Sequence, residues 1–139
     1  MQAVILAGGK GIRLWPVSND LSPKFFIKVD SEFSLLQETY LRARGLDIVS
    51  GIITVANNKF TSKISNEYSK VDYAMDRFIK NSFISEPVQK NTAAAIAISA
   101  IQIEKLHGAD EVMLILPSDH IIQAKKEFKN AIHKAAIFA

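Results

Sequence analysis

Residues 4–26 read VILAGGKGIRLWPVSNDLSPKFF, and the way this stretch opens decides the fold. The apolar run Val4-Ile5-Leu6-Ala7 stops at Gly8-Gly9-Lys10-Gly11. That is the pattern of a buried strand passing into a loop whose backbone must approach something closely. Lacking Cβ atoms, the glycines can turn their N–H groups toward a ligand. Arg13 follows the last glycine and Lys24 stands behind Pro23, so two cations flank a turn that exposes backbone donors. A polyphosphate needs that combination. Two familiar glycine motifs are excluded by counting: a dinucleotide fingerprint begun at Gly9 requires glycine where Leu14 stands, and no Gly-Lys-Ser/Thr follows at P-loop spacing. Taken alone, the glycines also fit a plain strand-to-loop turn with surface cations.

Outward from this stretch the chain alternates strand and helix signals. The alternation predicts an α/β fold with a mainly parallel, Rossmann-like sheet and helices on both faces. Residues 1–7 read as the first strand and residues 25–29 as a short extended segment. Ser34 and Gln37 make a capping box for a helix with Leu36, Thr39, Tyr40 and Ala43 on one face, ending at Gly45. GIITVA, residues 51–56, is a second strand. Phe60, Ile64, Tyr68 and Val71 recur at helical spacing. Residues 72–82 give no sharp pattern.

FISEPV, residues 83–88, reads as a short strand ending at Glu86-Pro87. Asn91 can cap a helix that begins at Thr92. The run from Ala93 to Ile103 is apolar almost all round, which predicts a central, buried helix. On their own, Glu86 fits a solvated strand-end carboxylate and Asn91 a structural cap. EVMLIL, residues 111–116, is a buried-strand run with Pro117-Ser118-Asp119-His120 at its carboxyl end, where ligands bind in open α/β sheets. Asp119 is suited there to hold Mg²⁺ against phosphate oxygens, although a turn carboxylate fits the same position. His120 reads as structural, and residues 125–139 as a covering helix.

Composition bounds the rest. The chain has 139 residues, 48% hydrophobic and 22% charged, which suits one folded domain. No apolar run reaches the roughly 18 residues that span a bilayer, so no membrane partner is expected and the chain reads as cytoplasmic. Its zero cysteines exclude disulfides and thiolate metal sites. The net charge of +3 suits a phosphate-rich ligand, yet the cations are scattered, which argues against nucleic acid.

Three strings, AGGKGIRLWPVS…SPKFF, EPVQKNTAAAIAISA and LPSDH, together resemble the sugar-nucleotide pyrophosphorylases. Leu14-Trp15-Pro16, with phenylalanine after Pro23-Lys24, is most similar to the mannose-1-phosphate guanylyltransferases. The resemblance implies nucleotidyl transfer from GTP to mannose 1-phosphate, giving GDP-mannose and pyrophosphate, with Mg²⁺ as cofactor. It implies Arg13 and Lys24 as catalytic cations on the triphosphate. Leu6, Ala7, Gly8, Gly9 and Gly11 would contact base and phosphates through their backbone, Glu86, Asn91 and Thr92 would lie beside base and ribose, and Asp119 would bind the metal. Glu86 could then accept from guanine N1–H and its 2-amino group, which adenine does not present together.

The chain departs from the family pattern at Ile12, Phe25 and Ala94, where a small hydroxyl residue, glutamine and proline are usual. Family members continue much further, adding strands, a second metal-binding aspartate and the sugar-phosphate site. Residues 1–139 therefore read as a single truncated nucleotidyltransferase domain, its nucleotide-binding half, expected not to make GDP-mannose by itself. That expectation leaves a downstream chain or a homo-oligomer as the completing partner. Two alternatives stay open: an inactive nucleotide-binding fragment or interaction module, and a pyrophosphorylase for another sugar phosphate or base.

Overall fold

The structure, a computed structural model, describes residues 1–9, 18–19, 22–29, 31–72, 78–88 and 91–139. Strands and helices alternate along the described chain as β1 (Gln2–Ala7), α1 (Leu35–Arg44), β2 (Gly51–Asn57), α2 (Thr61–Asp72), β3 (Lys80–Glu86), α3 (Asn91–His107), β4 (Met113–Pro117) and α4 (Lys125–Ile137). The strands form one sheet in the order β3-β2-β1-β4, and every neighbouring pair is parallel. The parallel α/β sheet expected from the alternation is therefore present. Among the described residues no helix is long and apolar enough to cross a membrane.

The period-two geometry of a strand explains how the sheet is covered on both faces. From β1, Ala3, Ile5 and Ala7 join Leu36, Tyr40 and Ala43 of α1 and Ile64, Tyr68 and Val71 of α2 in one core. Val4, between them, points the other way and packs with Ile53, Val55 and, from α3, Ala95 and Ile103. Both strand faces are apolar because a parallel sheet carries helices on each. Leu36 and Tyr40 are completely buried, and each such side chain contributes on the order of 1.5–3 kcal/mol of transfer free energy. The start of α1 follows the sequence reading: Ser34 accepts from the Gln37 amide and the Gln37 side chain accepts from the Ser34 amide.

A polar cluster ties α1 and α2 to the β3 edge. The Tyr40 and Tyr68 rings stack with centroids 3.8 Å apart. The Tyr40 hydroxyl donates to Asp72 at 2.6 Å and accepts from Asn81 Nδ2 at 2.7 Å, while Arg44 pairs with the same Asp72 carboxylate. Burial raises the pKa of both tyrosines, so both remain phenols able to donate.

Three sequence expectations are corrected. The extended segment expected at residues 25–29 begins only at Ile27, which is extended and leads into the Lys28–Ser34 bridge, because Lys24–Phe26 is a 3₁₀ turn. The turn drives Phe25 inward to 2% exposure, against Phe26 and Phe60 at 4.6 and 6.1 Å between ring centroids. The third strand starts earlier than Phe83, at Lys80, inside the stretch that gave no pattern. Nor is α3 buried all round: Ala95, Ser99 and Ile103 face the sheet while Ile98 and Ile101 are 45% and 47% exposed. The helix covers the sheet with one face, so its all-round apolarity marks composition and not depth.

Candidate functional site

Parallel pairing brings the carboxyl ends of all the described strands to one edge. Ala7 lies opposite Ala56, Asn57 opposite Glu86, and Leu6 opposite Pro117. The Ser118 amide donates to the Leu6 carbonyl at 3.1 Å, carrying the β1–β4 pairing one residue past the strand. Ser118 is thereby buried at 4% exposure, and Asp119 is delivered to the rim beside the start of the glycine turn. This is the edge at which open α/β sheets bind ligands.

Lys24 reaches the same rim from a different part of the chain. Pro23 before it and Phe25 after it are both buried, so the 3₁₀ turn is anchored on either side of the lysine. Its Nζ lies 3.1 Å from Asp119 Oδ2, with the two side chains 35% and 38% exposed. A half-solvated pair of this kind is worth at most about 1 kcal/mol. Its importance is positional: it holds a cation and a carboxylate together where a phosphate would arrive. His120 Nε2 stands 3.9 Å from the other Asp119 oxygen, and its side chain is 64% exposed.

Glu86, at the end of β3, reaches back over the start of the glycine turn. A Cβ placed on Gly8 would stand 3.1 Å from Glu86 Oε2, so glycine leaves the carboxylate its room. Burial raises the Glu86 pKa above the usual carboxylate value. Past β3, Asn91 opens α3 with φ at +63°, a left-handed conformation that asparagine tolerates better than most residues. Asn91 and Thr92 are both exposed at this helix entrance.

The sequence-derived site therefore assembles in part. Lys24 and Asp119 meet directly, and Glu86 meets Gly8. Ala7 is buried, backbone included, at 1% exposure, and the Leu6 carbonyl is already taken by Ser118. Among the described residues nothing lies within 4 Å of where a Gly9 Cβ would stand. Arg13 and Gly11 lie outside the described residues, as does Ile12. Phe25 does packing work inside an aromatic cluster, and Ala94 is exposed.

Among the described residues no group of three or more His, Cys, Asp or Glu side chains converges. Among the described residues, Asp119 is the carboxylate that meets Lys24 at the rim, and Glu86 lies further along the same edge, over Gly8. So sparse a set suits Mg²⁺, which is commonly held by one or two carboxylates together with substrate phosphates, better than an ion caged by protein alone. The Ser118 amide bond and the Lys24–Asp119 pairing were missed from sequence. Strand register creates the first, and the buried anchoring of the Lys24–Phe26 turn the second; string spacing carries neither.

The family model described as nucleotidyl transferase matches residues 2–137. A mannose-1-phosphate guanylyltransferase of Klebsiella pneumoniae is 39% identical over 136 residues, covering 98% of this chain and 27% of that protein. A crystal structure of a mannose-6-phosphate isomerase from Helicobacter pylori superposes with a TM-score of 0.75 at 27% identity, over 99% of this chain and 46% of the other. A structure described as a mannose-1-phosphate geranyltransferase from Thermus thermophilus gives 0.69 at 25% identity, over 96% and 36%. The chain thus spans less than half the length of each of these relatives. Because the match runs through nearly every described element, from the first strand to the last helix, the protein belongs to the nucleotidyl transferase family.

Proposed function

We propose that the chain supplies the nucleotide- and Mg²⁺-binding part of an enzyme that transfers a guanylyl group from GTP to mannose 1-phosphate. Family membership and the guanylyltransferase relatives support the reading. The observation that carries it is the 3.1 Å approach of Lys24 to Asp119 at the ligand-binding edge of the sheet. In this reaction an oxygen of the sugar phosphate attacks the α-phosphorus, the bond to the β-phosphate oxygen breaks, and pyrophosphate leaves. The work falls to positioning and charge neutralisation, without a covalent enzyme intermediate.

Lys24 would neutralise the triphosphate and the developing pyrophosphate, and Arg13 is assigned the same task on the strength of the sequence resemblance. The amides of Gly8, Gly9 and Gly11 would face base and phosphates. Glu86 would accept from the guanine edge, and Asn91 and Thr92 would lie beside the ribose. Asp119 would hold Mg²⁺, whose contribution when bound is charge neutralisation of the phosphate oxygens. Soluble nucleotide and sugar-phosphate substrates fit a cytoplasmic enzyme. Calorimetry with GTP and ATP in the presence of Mg²⁺ tests the reading: GTP should bind and ATP bind more weakly, whereas failure of GTP to bind contradicts it.

A further inference from the structure

Asp119 sits in a stretch that belongs to neither strand nor helix, because β4 ends at Pro117 and α4 begins at Lys125. No regular ladder holds this backbone, so its place depends on bonds to other elements. The Ser118 amide on the Leu6 carbonyl is one. The others come from α1. Arg42 Nη2 donates to the His120 carbonyl at 3.3 Å and to Thr39 Oγ1 at 2.9 Å, and the guanidinium lies over the Phe128 ring of α4, 5.6 Å from its centroid. The completely buried Thr39 has its hydroxyl 3.0 Å from the Leu35 carbonyl and 3.5 Å from that of Pro117. Glu38 Oε2 lies 3.6 Å from Lys125 Nζ. One helix thus touches the stretch just before Asp119, just after it and at its far end.

Stability alone gives a poor account of Arg42. Its Nε is buried with no hydrogen-bond partner among the described residues. Burial lowers its pKa, although the Glu38 carboxylate one turn back acts the other way. A methionine would cover Phe128 with a stem of similar length and desolvate no charge. What the guanidinium adds is a nitrogen with two N–H groups, one for Thr39 and one for His120. The Thr39 bond sets the direction of that nitrogen and the His120 bond uses it. The base is firm, since Leu36, Tyr40 and Ala43 of the same helix are each 0% exposed. Asp119 therefore stands between the anchored Lys24 on one side and a backbone gripped from α1 on the other.

From this geometry we infer that Arg42 is a positioning residue for Asp119, holding the backbone one residue beyond it through the His120 carbonyl, with Thr39 aiming the guanidinium. The inference rests on the proposed role of Asp119 in holding Mg²⁺. A metal-binding carboxylate has to be kept within about 0.5 Å of its working place by the groups around it. Releasing the His120 carbonyl would let Asp119 drift, and Mg²⁺ binding would weaken with every ligand still present.

The test is a double-mutant cycle on the Mg²⁺ dependence of GTP binding, measured by calorimetry in the parent, Arg42→Met, Asp119→Asn and the double variant. Arg42→Met should raise the Mg²⁺ concentration needed for half the effect about tenfold while changing Mg²⁺-free GTP affinity by less than about twofold. In the Asp119→Asn background the same substitution should change neither quantity. An equal loss with and without Mg²⁺, or in both backgrounds, would make Arg42 merely structural and overturn the inference. Amide hydrogen exchange reads the grip without nucleotide: in Arg42→Met the Ser118 amide should exchange about tenfold faster while that of Ile5 stays within about twofold. Unchanged exchange at Ser118 would overturn it as well. If the parent binds no GTP, the nucleotide reading is overturned, and exchange at Ser118 alone upholds or overturns the grip. Should Arg42→Met fail to fold, Thr39→Val takes its place, removing the hydroxyl that aims the guanidinium; it should give the same pattern at about threefold, and its absence would overturn the inference.

Discussion

The Glu86 carboxylate occupies the space that a side chain at residue 8 would need, 3.1 Å from the position of a Gly8 Cβ. A contact that tight requires the neighbour to give by a few tenths of an ångström. Here the neighbour is the far end of a partly exposed, flexible side chain, so moving it costs little. Gly8→Ala should therefore fold with a thermal midpoint within about 2 °C of the parent, well under the shift that a 1 kcal/mol loss produces. GTP affinity should nonetheless fall several-fold as Glu86 is pushed from its place. Unchanged affinity, measured by calorimetry, would separate Glu86 from the nucleotide.

Glu86 also makes stability depend on pH. Burial raises its pKa in the folded chain, so the ionised form is less favourable there than in the unfolded chain. The stability contributed by the protonated form is complete below the unfolded value of about 4.3 and is lost as pH rises through the higher folded value. Glu86→Gln removes this ionisation. At pH 7 the variant should be more stable by a few tenths of a kcal/mol, about the scale that solvent screening allows a partly exposed group, and the gain should vanish near pH 4. Denaturant melts at the two pH values decide it, and a gain that grows on acidification contradicts the assignment.

How far the fold was legible depended on the kind of signal. The Val4–Ala7 run ending in glycines, the Ser34–Gln37 box and the apolar run of residues 111–116 are local patterns, and each sits where its pattern put it, to within two residues at the last. The Phe25 turn was misread because an apolar pair looks extended until the partner that buries it, Phe60 from beyond β2, is known. The depth of α3 was misread for the converse reason: Ile98 and Ile101 look like core residues, but burial depends on what packs against them. Residue types at the site were legible as chemistry. Their meetings come from tertiary structure: strand register brings Glu86 to Gly8, and the anchored turn at Lys24 brings the lysine to Asp119.

The tyrosine cluster should carry stability and no part of the nucleotide site. Tyr40→Phe keeps the ring that stacks on Tyr68 but removes the hydroxyl between Asp72 and Asn81. The part-buried Asn81 donor loses its acceptor, at a cost of about 1 kcal/mol. Urea unfolding should show that loss while GTP affinity is retained. A variant as stable as the parent would mean that solvent replaces the hydroxyl without cost.

The central claim is that Lys24 and Asp119 form the phosphate- and metal-handling pair, and titration of GTP calorimetrically with and without Mg²⁺ into the parent, Lys24→Ala and Asp119→Asn tests it most directly. Lys24→Ala removes a charge-assisted contact of about 1.5–3 kcal/mol, so GTP affinity should fall about ten- to hundredfold. Asp119→Asn, nearly isosteric but uncharged, should keep the fold by circular dichroism and abolish the Mg²⁺ dependence of binding. Parent-like affinity and Mg²⁺ dependence in both folded variants would contradict the account.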